Sequence, residues 1–214
     1  MEVALPPRGS LPKPDADDPL DYYYRPLTSR LYRARLRLAM RLLGDGPYES
    51  LLELGYGSGI LLPELTRRAG RVAAIDVHDE RDAVDSALRA LGVEVDLRQA
   101  SLFELPYEAG EFDAVVCLSV FEHLTELDAA FAELARVLRP GGVAVVGFPT
   151  RNPVTDGFFR AVGYNPREIH PASHADIVAA ARRNEATTLE RCDQMPRLVP
   201  RALSAYVACR LRAL

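Results

Sequence analysis

The sequence predicts an α/β fold built on a largely parallel sheet, and three observations carry that prediction. The apolar run Leu51-Leu52-Glu53-Leu54 passes into Gly55-Tyr56-Gly57-Ser58-Gly59, where a strand gives way to a helix. A second apolar run, Arg71 to Asp76, ends in an acid 21 residues after Gly55, a spacing that suits one β-α-β unit. Ala114 to Leu118 and Val143 to Val146 are continuously apolar, as strands covered on both faces must be.

Composition sets the frame for those elements. With 214 residues, 48% hydrophobic and 26% charged, the chain can bury a full core and reads as one globular domain. Its net charge of -4 announces no basic face, so no nucleic-acid partner is expected. No N-terminal stretch has the form of a signal peptide and no apolar run has the length of a membrane span. Cys117, Cys192 and Cys209 show no paired spacing for a metal or a disulfide framework. Both observations lead to an expected cytoplasmic location.

Taken in order, residues 1–19 hold five prolines among small and charged residues and read as a flexible leader. Residues 20–214 form the single domain, opening with a helical lid over 20–47. There Asp21 to Pro26 is an aromatic cluster, and Leu31, Leu38 and Leu42 recur at helical spacing until Gly44-Asp45-Gly46-Pro47. Tyr22, Tyr23 and Tyr24 either pack against the sheet edge or cover a ligand.

Residues 48–150 form the ligand-binding core. Ser50 to Leu54 is its first strand and Ile60 to Ala69 its first helix, with Pro63 tolerable in the first turn and Gly70 as the stop. After the second strand, Arg81 to Leu91 is a helix stopped by Gly92, and Val93 to Arg98 alternates like a strand with one wet face. Thr125 with Asp128 reads as a capping box for the helix Glu126 to Leu138, which buries Leu127, Phe131, Leu134 and Leu138. Arg139-Pro140-Gly141-Gly142 turns it into the fifth strand.

Residues 151–185 are a loop region and then a helix capped by Ser173 with Asp176; residues 186–214 are the C-terminal strands. Pro196 to Leu214 has two readings. In the preferred one, a short helical turn precedes a strand in which Val207, Cys209 and Leu211 alternate. In the other, an amphipathic helix touches a membrane surface or a partner.

The glycine turn carries the chemistry. Glycines at 55, 57 and 59 let a ligand approach the backbone, while the first amides of the next helix point outward unpaired. Ile60 stands where the dinucleotide fingerprint wants its third glycine. An acid two residues before Gly-x-Gly-x-Gly instead resembles motif I of the class I S-adenosylmethionine-dependent methyltransferases. Leu102 to Tyr107, Phe112-Asp113, Glu122-His123 and Arg139 to Gly142 are similar to the subgroup that includes quinone-biosynthesis methyltransferases. The resemblance covers about residues 48–150.

That resemblance implies a Rossmann-like three-layer sandwich with seven strands, the last antiparallel. It implies an enzyme that methylates a small molecule at oxygen, nitrogen or carbon, in natural-product or quinone-type metabolism, with S-adenosyl-L-methionine as cofactor. Glu53, Gly55, Gly57 and Gly59 would carry the cofactor's amino-acid end and Asp76 its ribose, with Tyr56 and Val77 also at the cofactor. Ser101, where the subgroup usually has Asp, would hold adenine together with Leu102, and Leu118 would lie at the end of the fourth strand. Ser119 replaces the first Glu of the metal-dependent relatives, so no metal is expected.

His123 is the base candidate by position, or else shapes its loop. His170 and His174 are candidates for substrate binding or base function and Phe158 for substrate binding; Pro171 argues against one helix presenting both histidines to a metal. Three other functions stay open at this stage: a non-catalytic methyltransferase-like partner protein, a nicotinamide oxidoreductase and an RNA methyltransferase. Oligomeric state is not encoded in any motif.

Overall fold

A computed structural model describes residues 3–16, 18–150, 171–196 and 203–214. Seven strands form one sheet: β1 (Tyr48–Leu54), β2 (Ala69–Asp76), β3 (Asp96–Gln99), β4 (Phe112–Leu118), β5 (Leu138–Pro149), β6 (Thr187–Met195) and β7 (Tyr206–Ala213). Their order is β3-β2-β1-β4-β5-β7-β6. The pairs from β3 to β5 are parallel, and β7 runs antiparallel to both its neighbours. The expected sandwich is what forms.

Period-two alternation divides the core between two faces. Leu51 joins the cluster made with α1 (Ser29–Leu43), α2 (Leu62–Leu65) and α3 (Arg81–Ala90); Leu52 and Leu54 join the opposite one with α4 (Leu127–Val137) and α5 (His174–Arg183). Glu53 therefore points toward the α1 side. At the lower end, Asp113 Oδ2 accepts the amides of Glu49, at 2.6 Å, and Ser50, at 2.8 Å, and so locks β1 onto β4. Because β2 and β3 extend to one side of β1 while β4 and β5 extend to the other, the strand order reverses between β1 and β4. Ligand sites in open α/β sheets form above such a point.

Several expectations need correction. The first helix is one turn, Leu62–Leu65, rather than Ile60 to Ala69, and Gly70 lies inside β2. Sheet pairing stops the helix: the Arg68 carbonyl accepts the Tyr48 amide at 2.8 Å, and the buried Arg68 guanidinium bonds Glu64 at 2.7 Å and the Gly44 carbonyl at 2.8 Å. Helix α4 lacks the Thr125–Asp128 box. Glu126 is its N-cap, and Asp128 pairs at 2.8 Å with Arg183 of α5. The Ser173–Asp176 box does form, with Asp176 Oδ2 accepting the Ser173 amide at 3.0 Å.

The described part of the leader is irregular but not loose, because its few apolar side chains find the core. Val3 and Leu11 are buried there, and Tyr24 donates its hydroxyl to the Pro6 carbonyl at 2.8 Å. Cys192 and Cys209 face each other across β6 and β7 and form a disulfide, leaving Cys117 buried and free. The pairing withdraws the support that unpaired cysteines lent to a reducing compartment.

The final segment is a strand, with ladders to β5 and β6 that consume its backbone groups and bury its side chains. The amphipathic-helix reading falls, and with it the membrane-surface contact it offered. Among the described residues, no helix is long and apolar enough to cross a membrane.

Candidate active site

The site forms at the carboxyl ends of β1, β2 and β4. At Gly55 the chain leaves β1 with φ +78°, and a Cβ there would come within 2.3 Å of Val120. At Gly57, φ is +50° and a Cβ would come within 2.7 Å of Asp18 Oδ2. No side chain fits at either position without moving the opposite wall.

Asp76 holds this turn in place. Its Oδ2 accepts the Gly57 amide at 2.7 Å and its Oδ1 accepts the Val77 amide at 2.7 Å. The end of β2 thus fixes the glycine turn above β1, while lone pairs on both oxygens remain for hydroxyl donors. His78 packs edge-on against Tyr56, ring centroids 4.9 Å apart, and its Nε2 lies 3.1 Å from the Gly57 carbonyl.

Glu53 is the anomaly. It is 4% exposed, its Oε2 has no hydrogen-bond partner among the described residues, and burial, followed by the charge of Asp76, pushes its carboxyl well above the usual range. A buried polar atom left unpaired costs stability unless a ligand satisfies it.

These groups line one cavity of about 430 Å³, within the span of small-molecule sites. Every residue expected at the cofactor lines it except Gly59: Glu53, Gly55, Tyr56, Gly57, Asp76, Val77, Ser101, Leu102 and Leu118. Gly59 instead packs under the turn, where a Cβ would crowd Val84 at 3.1 Å. Ser101 Oγ accepts the Phe103 amide at 3.2 Å and shapes the loop at the far end.

The opposite wall comes from the leader, the expected lid and the end of β4, and two of its side chains, Asp18 and Arg35, carry no motif in the sequence. Arg35 of α1 donates from Nε and Nη2 to the Tyr23 hydroxyl, at 2.9 and 2.5 Å, and from Nη1 to Ser119 Oγ at 3.4 Å. Its guanidinium lies 4.5 Å from the Tyr32 ring centroid, and no carboxylate pairs with it among the described residues. Ser119, at the end of β4, has φ 60°, and its Oγ lies 3.3 Å from the Tyr206 hydroxyl. Asp18 enters from the leader and accepts the Ser58 amide at 3.0 Å. In the sequence Asp18 looks like part of a solvated acid run, and Arg35 is one of several arginines on its helix. Only the docking of α1 singles them out.

Among the acceptor-side candidates, His123 and Tyr23 line the cavity. Tyr22 and Tyr24 do not: Tyr22 stacks on Tyr32 at 5.1 Å on the surface, and Tyr24 is tied to the leader. His174 opens α5 and does not line the cavity. Phe158 and His170 lie outside the described residues. Glu122, beside His123, is buried behind the wall, and burial pushes its carboxyl up to about 8. Among the described residues, no group of His, Cys, Asp and Glu could hold a metal.

Comparison with known proteins agrees with this geometry. Residues 52–146 match the family model described as a methyltransferase domain. A probable S-adenosylmethionine-dependent methyltransferase of Mycolicibacterium smegmatis is 36% identical over 148 residues, which is 68% of this chain and 54% of that protein. The ubiquinone biosynthesis O-methyltransferase of Marinobacter nauticus is 36% identical over 107 residues, 48% of this chain and 44% of that protein. The chain thus spans about half the length of the curated relatives it matches.

Two solved structures share the fold. Geranyl diphosphate C-methyltransferase of Streptomyces coelicolor superposes with a TM-score of 0.72 at 20% identity, over 94% of this chain and 86% of that one. The [4+2]-cyclase SpnF superposes with a TM-score of 0.68 at 19% identity, over 89% and 83% of the two chains. At such identities the likeness concerns the fold alone.

Proposed function

From the premise that this chain belongs to the class I S-adenosylmethionine-dependent methyltransferases, we propose that it uses S-adenosylmethionine to methylate a small molecule at oxygen, nitrogen or carbon. One observation carries the reading. The orphaned Glu53 carboxyl, the glycine turn and the Asp76 carboxylate meet in one cavity that continues to Ser101 and Leu102. The donor set suits an adenosine joined to an amino acid, with hydroxyls for Asp76, an ammonium for Glu53 and a carboxylate for the unpaired Arg35.

When bound, the cofactor supplies an electrophilic methyl group. The chain's own work is to orient and to exclude water. Arg35, held by Tyr23 and stacked on Tyr32, is fixed before any ligand arrives, so little side-chain entropy is lost on binding. Ser119 and Val120 at the end of β4 set the floor on which an acceptor would rest. His123 lines the same space and would take a proton from a hydroxyl or acidic carbon acceptor; a neutral amine would not need it. A cytoplasmic location belongs to the same proposal.

The SpnF likeness makes plain that this architecture does not by itself select methyl transfer. The test is transfer of a labelled methyl group from S-adenosylmethionine to a panel of phenols, amines, isoprenoid diphosphates and RNA. Label on a small molecule supports the proposal. Label on RNA alone overturns it in favour of an RNA methyltransferase, and absence of label with every acceptor favours a partner protein that keeps the fold without the reaction.

A further inference from the structure

We propose that Asp18 recognises the donor's amino-acid end, offering its carboxylate to the ammonium group from the N-terminal segment, in the cavity that Glu53 also lines. The inference rests on the proposed function and adds to it a binding residue outside the motif-bearing core.

Asp18 is held as a ligand would need it. It is 9% exposed and lines the same cavity as Glu53. Its Oδ2 accepts the Ser58 amide at 3.0 Å, its Oδ1 accepts the Leu20 amide at 2.8 Å, and its own amide donates to Asp15 Oδ1 at 2.7 Å. Both oxygens keep a lone pair. Gly57 is shaped for this approach, since a Cβ there would press on Asp18 Oδ2.

The second observation is the buried, unpartnered Glu53 Oε2 lining the same space. Tyr23 lines the same cavity as the two acids, and its hydroxyl oxygen meets Arg35. That oxygen receives two N–H groups from Arg35, so its lone pairs are taken and its proton is left to donate.

Charge decides what fits. Neither Asp18 nor Glu53 forms an ion pair among the described residues, and the nearby Lys13 ammonium is bound to the Ala16 carbonyl at 2.9 Å. Buried carboxylates call for a cation. A dinucleotide phosphate would meet the carboxylates of Asp18 and Asp76 with like charge. An ammonium beside a carboxylate matches them, with Arg35 and the Tyr23 proton facing the carboxylate.

The experiment is calorimetric titration with three ligands: S-adenosylhomocysteine, its analogue lacking only the α-amino group, and 5′-methylthioadenosine, which lacks the whole amino-acid end. The native protein is expected to bind S-adenosylhomocysteine at least about tenfold more tightly than the deaminated analogue. Asp18→Asn should shrink that preference about tenfold and leave methylthioadenosine affinity within about twofold. Asp18→Ser, which keeps an acceptor for the Ser58 amide, repeats the test if the asparagine variant does not fold.

Equal binding of the first two ligands by the native protein would overturn the inference, as would a variant that weakens all three ligands alike. Tighter S-adenosylhomocysteine binding by the variant would also overturn it, because Asp18 would then compete with the ligand. Binding of none of the three would remove the proposed function itself, and this inference with it.

Discussion

The two walls of the cavity are built by opposite means. One wall is the turn after β1 and the end of β2, where backbone amides and two acids lie within 24 residues of one another in sequence, from Glu53 to Asp76. The other is Asp18, Tyr23, Arg35 and Ser119, drawn from the leader, a 3-10 turn, α1 and the end of β4. Local chain geometry makes the first wall, so it forms whenever the strand-turn-helix forms. Docking makes the second, so it depends on α1 and the leader packing on the sheet. On the proposed function, the first wall carries the nucleoside through Asp76 and part of the amino-acid end through Glu53, whereas the second wall acts on the amino-acid end alone.

Mutations can break or sharpen that division. Asp76→Ala should cause the largest loss, because it removes the acceptor proposed for the ribose and also frees the Gly57 amide that Oδ2 holds. S-adenosylhomocysteine and methylthioadenosine should both weaken about a thousandfold, roughly 4 kcal/mol, in calorimetry. A small effect on methylthioadenosine would show that the first wall does not carry nucleoside affinity.

Glu122→Gln addresses the group behind the walls. Because its folded-state carboxyl titrates at about 8, above the ordinary carboxylate value, the folded state keeps a proton that the unfolded state has already released. Stability contributed by this group is therefore full below the unfolded value and declines as pH rises toward about 8, by roughly 4 to 5 kcal/mol. Thermal unfolding across that range should show a flatter pH dependence in the variant, with ligand affinity unchanged.

Arg35→Ala should weaken S-adenosylhomocysteine about thirtyfold while methylthioadenosine changes little, since among the described residues Arg35 is hydrogen-bonded to Tyr23 and Ser119 and it lies on the second wall. Equal losses for both ligands would erase the division between the walls. The smallest effect belongs to Tyr22→Phe. Its ring is 39% exposed and stacked on Tyr32 outside the cavity, so stability should move by less than about 0.5 kcal/mol and affinity not at all.

The same division explains what could be read from the sequence. The acid–glycine turn, Asp76 and the covered strands are short-range patterns, and the architecture and most of the nucleoside wall follow from them. Where a long-range contact decided the outcome, periodicity failed. The first helix ends early because the Arg68 carbonyl belongs to the β1–β2 ladder, which no window of sequence displays.

Asp18 and Arg35 have the composition of surface residues, and only the approach of α1 to the sheet brings them to the site. The Cys192–Cys209 bridge depends on the register of β6 against β7, a pairing set across 17 residues. Tyr22, Tyr23 and Tyr24 are alike as letters, yet a single turn sends one into the cavity, one to the surface and one to the leader.

The central claim, that the acid–glycine turn and Asp76 receive an adenosine bearing an amino acid, meets its most direct test in titration of the native protein with S-adenosylhomocysteine and, separately, with NADH. Saturable binding of the first with one site per chain and none of the second is the predicted result. Binding of NADH, or of neither ligand, would contradict it.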